Sequence, residues 1–155
     1  MVVLQQGKVI AQGKMTEVVG QVNIAQLQGE LAGAVIEVKV IEKNSQWQLL
    51  RVGFDGGELW LNDTGETLGQ ALRLRILARD VSLTLSEHRD TSILNRLPAR
   101  IERLVAEEKT AKVLVSLRVG QSVINASVTR RSAETLNLSP GSRVWAQIKS
   151  VAIVR

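Results

Sequence analysis

The chain has 155 residues, 45% of them hydrophobic, with no cysteine, a single histidine and a formal net charge of +5. That length holds one ordinary domain or two very small ones around a core, and the lack of cysteine excludes disulfides and thiolate chemistry, which suits a cytoplasmic protein. No apolar run approaches the ~20 residues of a membrane-spanning helix, and no basic segment with a long apolar run behind it opens the chain, so no signal peptide is expected.

Residues 1–13 read as a hairpin, Val2-Val3-Leu4 and Val9-Ile10-Ala11 around Gln5-Gln6-Gly7-Lys8. A two-stranded hairpin is marginal alone, so the chain is expected to begin inside a larger fold. Over 15–28, Met15, Val18, Val19 and Val22 predict one apolar helix face, with Thr16 and Glu17 at its start. A linker with two glycines follows, and residues 1–33 are assigned to the end of a preceding domain.

A first β-module is expected over 34–90. Ile36, Val38 and Val40 alternate with Glu37 and Lys39 as in a half-buried strand. The runs 47–54 and 58–61 flank Asp55-Gly56-Gly57, a hairpin turn. Gly69 then leads into Leu72, Leu74 and Ile76, and Arg79 precedes Val81-Ser82-Leu83. The same phrase returns as Gly141, Val144, Ala146 and Ile148, with Lys149 before Val151-Ala152-Ile153. A glycine feeding an alternating strand, used twice, predicts two copies of one small module. The second is assigned to 91–155, with strands over 99–105, 112–119, 122–128 and 143–150. Val113, Val115, Leu117 and Val119 form its clearest inward face, and a short helix spans 130–136 between Thr129 and Ser139-Pro140-Gly141. The expected fold is mainly all-β: two small OB-like barrels in tandem behind a hairpin–helix remnant.

Charge divides unevenly. Residues 1–90 hold 9 Lys/Arg and 11 Asp/Glu, whereas 91–155 hold 11 and 4, so the second half attracts anions. No catalytic constellation accompanies that charge: His88 lies in the polar connector Ser86-Glu87-His88-Arg89-Asp90, and no Ser/His/Asp arrangement or metal-ligand cluster exists. Gly7-Lys8 and Gly13-Lys14 lack the rest of a phosphate-binding loop. An enzyme is therefore not expected in this chain. An oxyanion site has better support, because Ser92, Thr129 and Ser132 offer hydroxyl donors and Lys149 a point charge. The competing structural roles are helix capping for Thr129 and Ser132, and a solvated outward position for Lys149. Nucleic-acid binding is disfavoured, since such barrels stack bases on aromatic rings. Only Trp145 of the aromatic residues lies in the basic half.

The run 72–83 and Gly56-Gly57-Glu58-Leu59-Trp60 resemble the C-terminal region of molybdate-import ABC ATPases. Thr91-Ser92-Ile93-Leu94-Asn95, Val128-Thr129 with Ser132, and Ala146-Gln147-Ile148-Lys149-Ser150 are similar to the Mop/TOBE-like module that ends those subunits. The hairpin of residues 2–13 resembles the one closing an ABC nucleotide-binding domain. This resemblance implies a regulatory domain, without its motor, that binds molybdate or tungstate through Ser92, Thr129, Ser132, Lys149 and Ser150. It implies no cofactor or metal, and pairing with a second copy, often with the ligand at the subunit boundary. Through the parent ATPase it implies a membrane permease as partner, at the cytoplasmic face of the inner membrane. The chain departs from the family at Leu94, where strongly binding modules carry an arginine; Arg96, Arg130 and Arg131 are candidate replacements. A dimerisation domain without ligand is the alternative that this departure keeps open. No site is expected in the first module, whose Asp80 would repel a dianion.

Overall fold

A computed structural model describes residues 33–154. The expected hairpin of 1–13, the helix of 15–28 and most of the linker lie outside these residues. Ten strands follow in order: β1 Gly33–Asn44, β2 Leu49–Phe54, β3 Gly57–Asn62, β4 Ala71–Leu77, β5 Val81–Thr84, β6 Asn95–Ala106, β7 Lys112–Val119, β8 Ser122–Thr129, β9 Arg143–Ile148 and β10 Ala152–Val154. A 3₁₀ turn, Ala78–Asp80, precedes β5, and the helix α1, Arg130–Thr135, separates β8 from β9. The fold is all-β over the described residues, two curled antiparallel sheets that make tandem OB-like barrels.

Alternation produces this arrangement directly. β1 buries Ile36, Val38 and Val40 and turns Glu37 and Lys39 outward, while β7 buries Val113, Val115, Leu117 and Val119. Because side chains alternate faces along a strand, each pattern fixes which face meets the core. Arg51 ties the outer face of the first sheet across three strands, with 2.7 Å contacts to Glu42 and Glu58. Both carboxylates hold its guanidinium above its ordinary pKa, the Glu58 hydrogen bond most strongly.

The two sheets repeat one another in register. The first runs β10-β4-β1-β2-β3 and the second β5-β9-β6-β7-β8. Each long central strand breaks step at one place, between Val40 and Glu42 in β1 and between Ile101 and Arg103 in β6. Such bulges bend a strand and increase its twist. At the bulge, Gly69 N–H donates to the Val40 carbonyl (2.8 Å) and Gly141 N–H to that of Ile101 (2.7 Å). These are the glycines of the doubled phrase, at φ +85° and +91°, a left-handed backbone that favours glycine.

Their end strands are exchanged. β5 follows β4 in sequence but pairs with β9, and β10 follows β9 but pairs with β4. Each sheet therefore takes four strands from one repeat and its fifth from the other, so the repeats are interlocked within a single chain. β3 also packs against β6, and β8 against β1 and β5. The two matching hairpin turns touch: Gln121 N–H donates to the Asp55 carboxylate (2.8 Å), and a Cβ on Gly120 would lie 2.7 Å from Gly56 Cα.

Candidate functional site

The β9–β10 connector carries Lys149 and Ser150, both exposed. The Lys149 N–H donates to the Asp80 carbonyl at 2.7 Å, which fixes the backbone where the chain leaves β9. Lys149 and Ser150 line a recess of about 380 Å³ with Trp60, Asn62, Thr64 and Asn95. The recess thus joins the connector of the second repeat to β3 of the first. Among the described residues the Lys149 ammonium has no acidic partner, so its charge is available to an incoming anion.

Asn95, which sequence reading quoted within a motif but gave no role, holds this junction together. Its side-chain oxygen accepts the Trp60 N–H (2.7 Å) and its amide donates to the Trp60 carbonyl (3.0 Å). One side-chain amide thereby serves β3 as another strand's peptide would. The signal was a small amide at the start of a strand whose next inward residue is Leu97, a position where a polar side chain needs partners.

Thr129 and Ser132 sit together at the β8–α1 junction. The Thr129 hydroxyl oxygen accepts the Ser132 N–H (3.0 Å) and donates to Ser132 Oγ (2.9 Å). The capping role is therefore filled, and the Ser132 hydroxyl keeps its own hydrogen to donate. Neither residue lines the Lys149 recess. Continuing the β3–β8 match two residues beyond Asn62 and Ser127 puts Thr64 in the first repeat where Thr129 stands in the second. The Thr64 hydroxyl donates to Glu66 (2.7 Å), a buried carboxylate, in place of a serine. Two matched junctions thus differ in charge.

Ser92 is exposed in the connector before β6, where Ile93 N–H donates to Thr91 Oγ1 (3.2 Å). Leu94 is 55% exposed, so the missing arginine leaves an open surface there rather than a packed one. Two candidate replacements are already engaged. Arg96 lies 3.5 Å from Glu87 and donates to the Ile93 carbonyl, and Arg130 donates to the Glu107 carbonyl. Arg131 is exposed and, among the described residues, has no hydrogen bond or ion pair. The five sequence-derived residues therefore fall into Lys149 with Ser150, Thr129 with Ser132, and Ser92 alone. No group of three or more metal-ligating side chains exists among the described residues, and none of their helices is long and apolar enough to cross a membrane.

Comparison with known proteins adds to this geometry. Residues 91–154 match the TOBE domain family. Over 99% of its length the chain is 40% identical to the molybdenum import ATP-binding protein ModC of Methylococcus capsulatus and 44% identical to that of Thiobacillus denitrificans. It spans 43% and 42% of those two proteins, about two-fifths of each. Its fold resembles a molybdate-bound crystal structure of the cytoplasmic molybdate-binding protein ModG, with a TM-score of 0.63 at 18% identity, covering 77% of this chain and 95% of that one.

Proposed function

We propose that this chain, whose whole length matches part of the molybdenum import ATP-binding proteins and whose residues 91–154 match the TOBE family, is the regulatory oxyanion-binding portion of such a subunit. The observation that carries the reading is the Lys149 ammonium, without an acidic partner among the described residues, beside Ser150 in a recess lined by polar groups of both repeats. A tetrahedral dianion needs a cation and several donors converging from different sides. Lys149 supplies the charge and the hydroxyl of Ser150 a donor, while Ser92, which does not line the recess, would act from a second copy. Thr129 and Ser132 do not line the recess, so their part requires a second copy whose β8–α1 junction approaches it. The ligand is molybdate or tungstate, held where two chains meet.

The larger protein would be the ATP-hydrolysing subunit of an importer, working with a membrane permease at the cytoplasmic face of the inner membrane. Within it this portion senses the intracellular oxyanion and restrains transport when that oxyanion is plentiful. The chain itself does no chemistry in this reading. A second reading, a dimerisation domain without ligand, is favoured by Leu94, which removes a bidentate cation from the motif.

Calorimetric titration with molybdate, tungstate and sulfate, alongside light scattering, tests the first reading. A dimer that binds molybdate is expected. Lys149→Ala should weaken binding about 10-fold to 150-fold, the loss of one charged hydrogen bond, with thermal unfolding unchanged. Leu94→Arg should tighten it. Unchanged affinity in Lys149→Ala, or no binding at millimolar ligand, would leave the dimerisation reading in possession.

A further inference from the structure

The second sheet carries an arrangement on its outer face that the oxyanion site does not use. Register places Arg118 opposite Arg100 and Arg100 opposite Arg143, three arginines side by side on β7, β6 and β9. All three are exposed. Arg118 is neutralised by Glu102 at 2.7 Å and also donates to the Gln121 carbonyl. Arg100 and Arg143 have no hydrogen bond or ion pair among the described residues. Like charges directly opposite one another destabilise a sheet, and for Arg100 and Arg143 no partner among the described residues offsets that cost.

Internal repetition supplies the control. The matching row of the first sheet is Gly53, Lys39 and Ala71, in the same register beside the same bulge. The fold therefore builds this face without arginine. The neighbouring outward pair differs in the same sense: Glu37 opposite Arg73 in the first sheet, Pro98 opposite Trp145 in the second. Opposite charges facing each other in register have given way to an apolar pair beside two cations that have no acidic partner among the described residues. Leu85, Pro98 and Trp145 line a recess of about 410 Å³ with the three arginines, within the roughly 300–1,000 Å³ of small-molecule sites.

We propose that this recess is a second anion site, for a phosphate monoester carried on a planar ring, that is, a nucleoside monophosphate. Two unneutralised guanidinium groups match a dianionic phosphate in charge, and the planar fork of each suits its oxygens. Trp145 and Pro98 offer the flat apolar surface on which a base stacks. With two available cations and one ring, the face suits a single nucleotide better than a polymer, which needs a charged track. It shares no lining residue with the Lys149 recess, and Arg143 opens β9 whereas Lys149 follows its end. The two sites would act on different ligands.

The test is calorimetry on the full chain at low ionic strength, with AMP, inorganic phosphate and adenosine as probes. AMP should bind, inorganic phosphate more weakly, and adenosine not measurably. Arg100→Gln and Arg143→Gln should each weaken AMP binding about 10-fold or more, and Trp145→Phe should weaken it less. Both arginine variants should keep the wild-type molybdate response and unfold at the same temperature or slightly higher, since repulsion within the row is relieved. Inorganic phosphate binding as tightly as AMP, wild-type affinity in both arginine variants, or no AMP binding at millimolar concentration would each overturn the proposal. Tight binding of a single-stranded oligonucleotide with none of AMP would overturn it in favour of a polymer.

Discussion

Beside the bulge of its central strand the first sheet carries Gly53, Lys39 and Ala71, and the second carries Arg118, Arg100 and Arg143. Inside the sheets the same comparison gives near identity in kind: Val38, Val40, Leu72 and Leu74 on one side, Ala99, Ile101, Val144 and Ala146 on the other, all buried. Inward positions are held by packing, where a change of volume is felt at once, whereas outward positions are held by almost nothing. Two copies of one backbone can thus share a core pattern and diverge in surface chemistry. The divergence follows a direction. Acidic groups close the first repeat, as Glu66 does at Thr64, while the second leaves Lys149, Arg100 and Arg143 without acidic partners among the described residues.

Interlocking of the repeats is the part of this comparison that a mutation can break most severely. The Gly56 and Gly120 turns meet with backbone against backbone, and Gly120 has φ +61°. Gly120→Val adds left-handed strain and overlap with Gly56, for an expected loss of at least about 3 kcal/mol. Denaturant unfolding measures it, with the midpoint falling and the slope unchanged. A wild-type midpoint would mean that the turns do not lock the sheets together.

A smaller effect is expected where only the second repeat has the device. Asn95 satisfies both backbone groups of Trp60, whereas the matched position in β1 is Ala34. Asn95→Ala should cost about 2 kcal/mol, because it strands a partly buried N–H and carbonyl. The same variant should loosen the Lys149 recess, since β3 forms its far wall. The second readout is molybdate affinity at a temperature where the variant is fully folded. A loss of stability without any change in affinity would assign Asn95 to the fold alone.

Much of this architecture was legible in sequence. The strands fall close to where the sequence put them, except that Trp47 and Gln48 lie in the turn before β2, β6 begins at Asn95 rather than at Ala99, and β9 ends at Ile148, leaving Lys149 and Ser150 in a connector. The glycine phrase identified a repeat because Gly69 and Gly141 serve one hydrogen bond in each sheet. The exchange of β5 and β10 was not legible. Val81-Ser82-Leu83 and Val151-Ala152-Ile153 follow near-identical phrases, and alternation fixes which face is buried but does not name the neighbouring strand. The recess stayed hidden for a related reason. Lys149 and Ser150 were chosen by local pattern, but Trp60, Asn62 and Thr64 reach them only through packing between the repeats. The arginine row was visible only as an excess of charge, since its members lie far apart in sequence and register alone aligns them.

The smallest expected effect is also the sharpest check on equivalence. A Cβ on Gly69 or on Gly141 would find no atom within 4 Å, so space does not require either glycine. Only the backbone does, at φ +85° and +91°. Gly69→Ala and Gly141→Ala should therefore each cost about 1–2 kcal/mol, the left-handed penalty of a residue with a Cβ. Because the conformations and hydrogen bonds agree closely, the two losses should match within about 0.5 kcal/mol and add in the double variant. The sheets are nonetheless not equally placed, for Gly141 sets the start of β9, which positions Lys149. If Gly141→Ala costs clearly more than Gly69→Ala and also weakens molybdate binding, strain at the turn reaches the recess through β9. Equal losses with unchanged affinity would confine each glycine to its own bulge, and would leave the difference between the repeats entirely to their side chains.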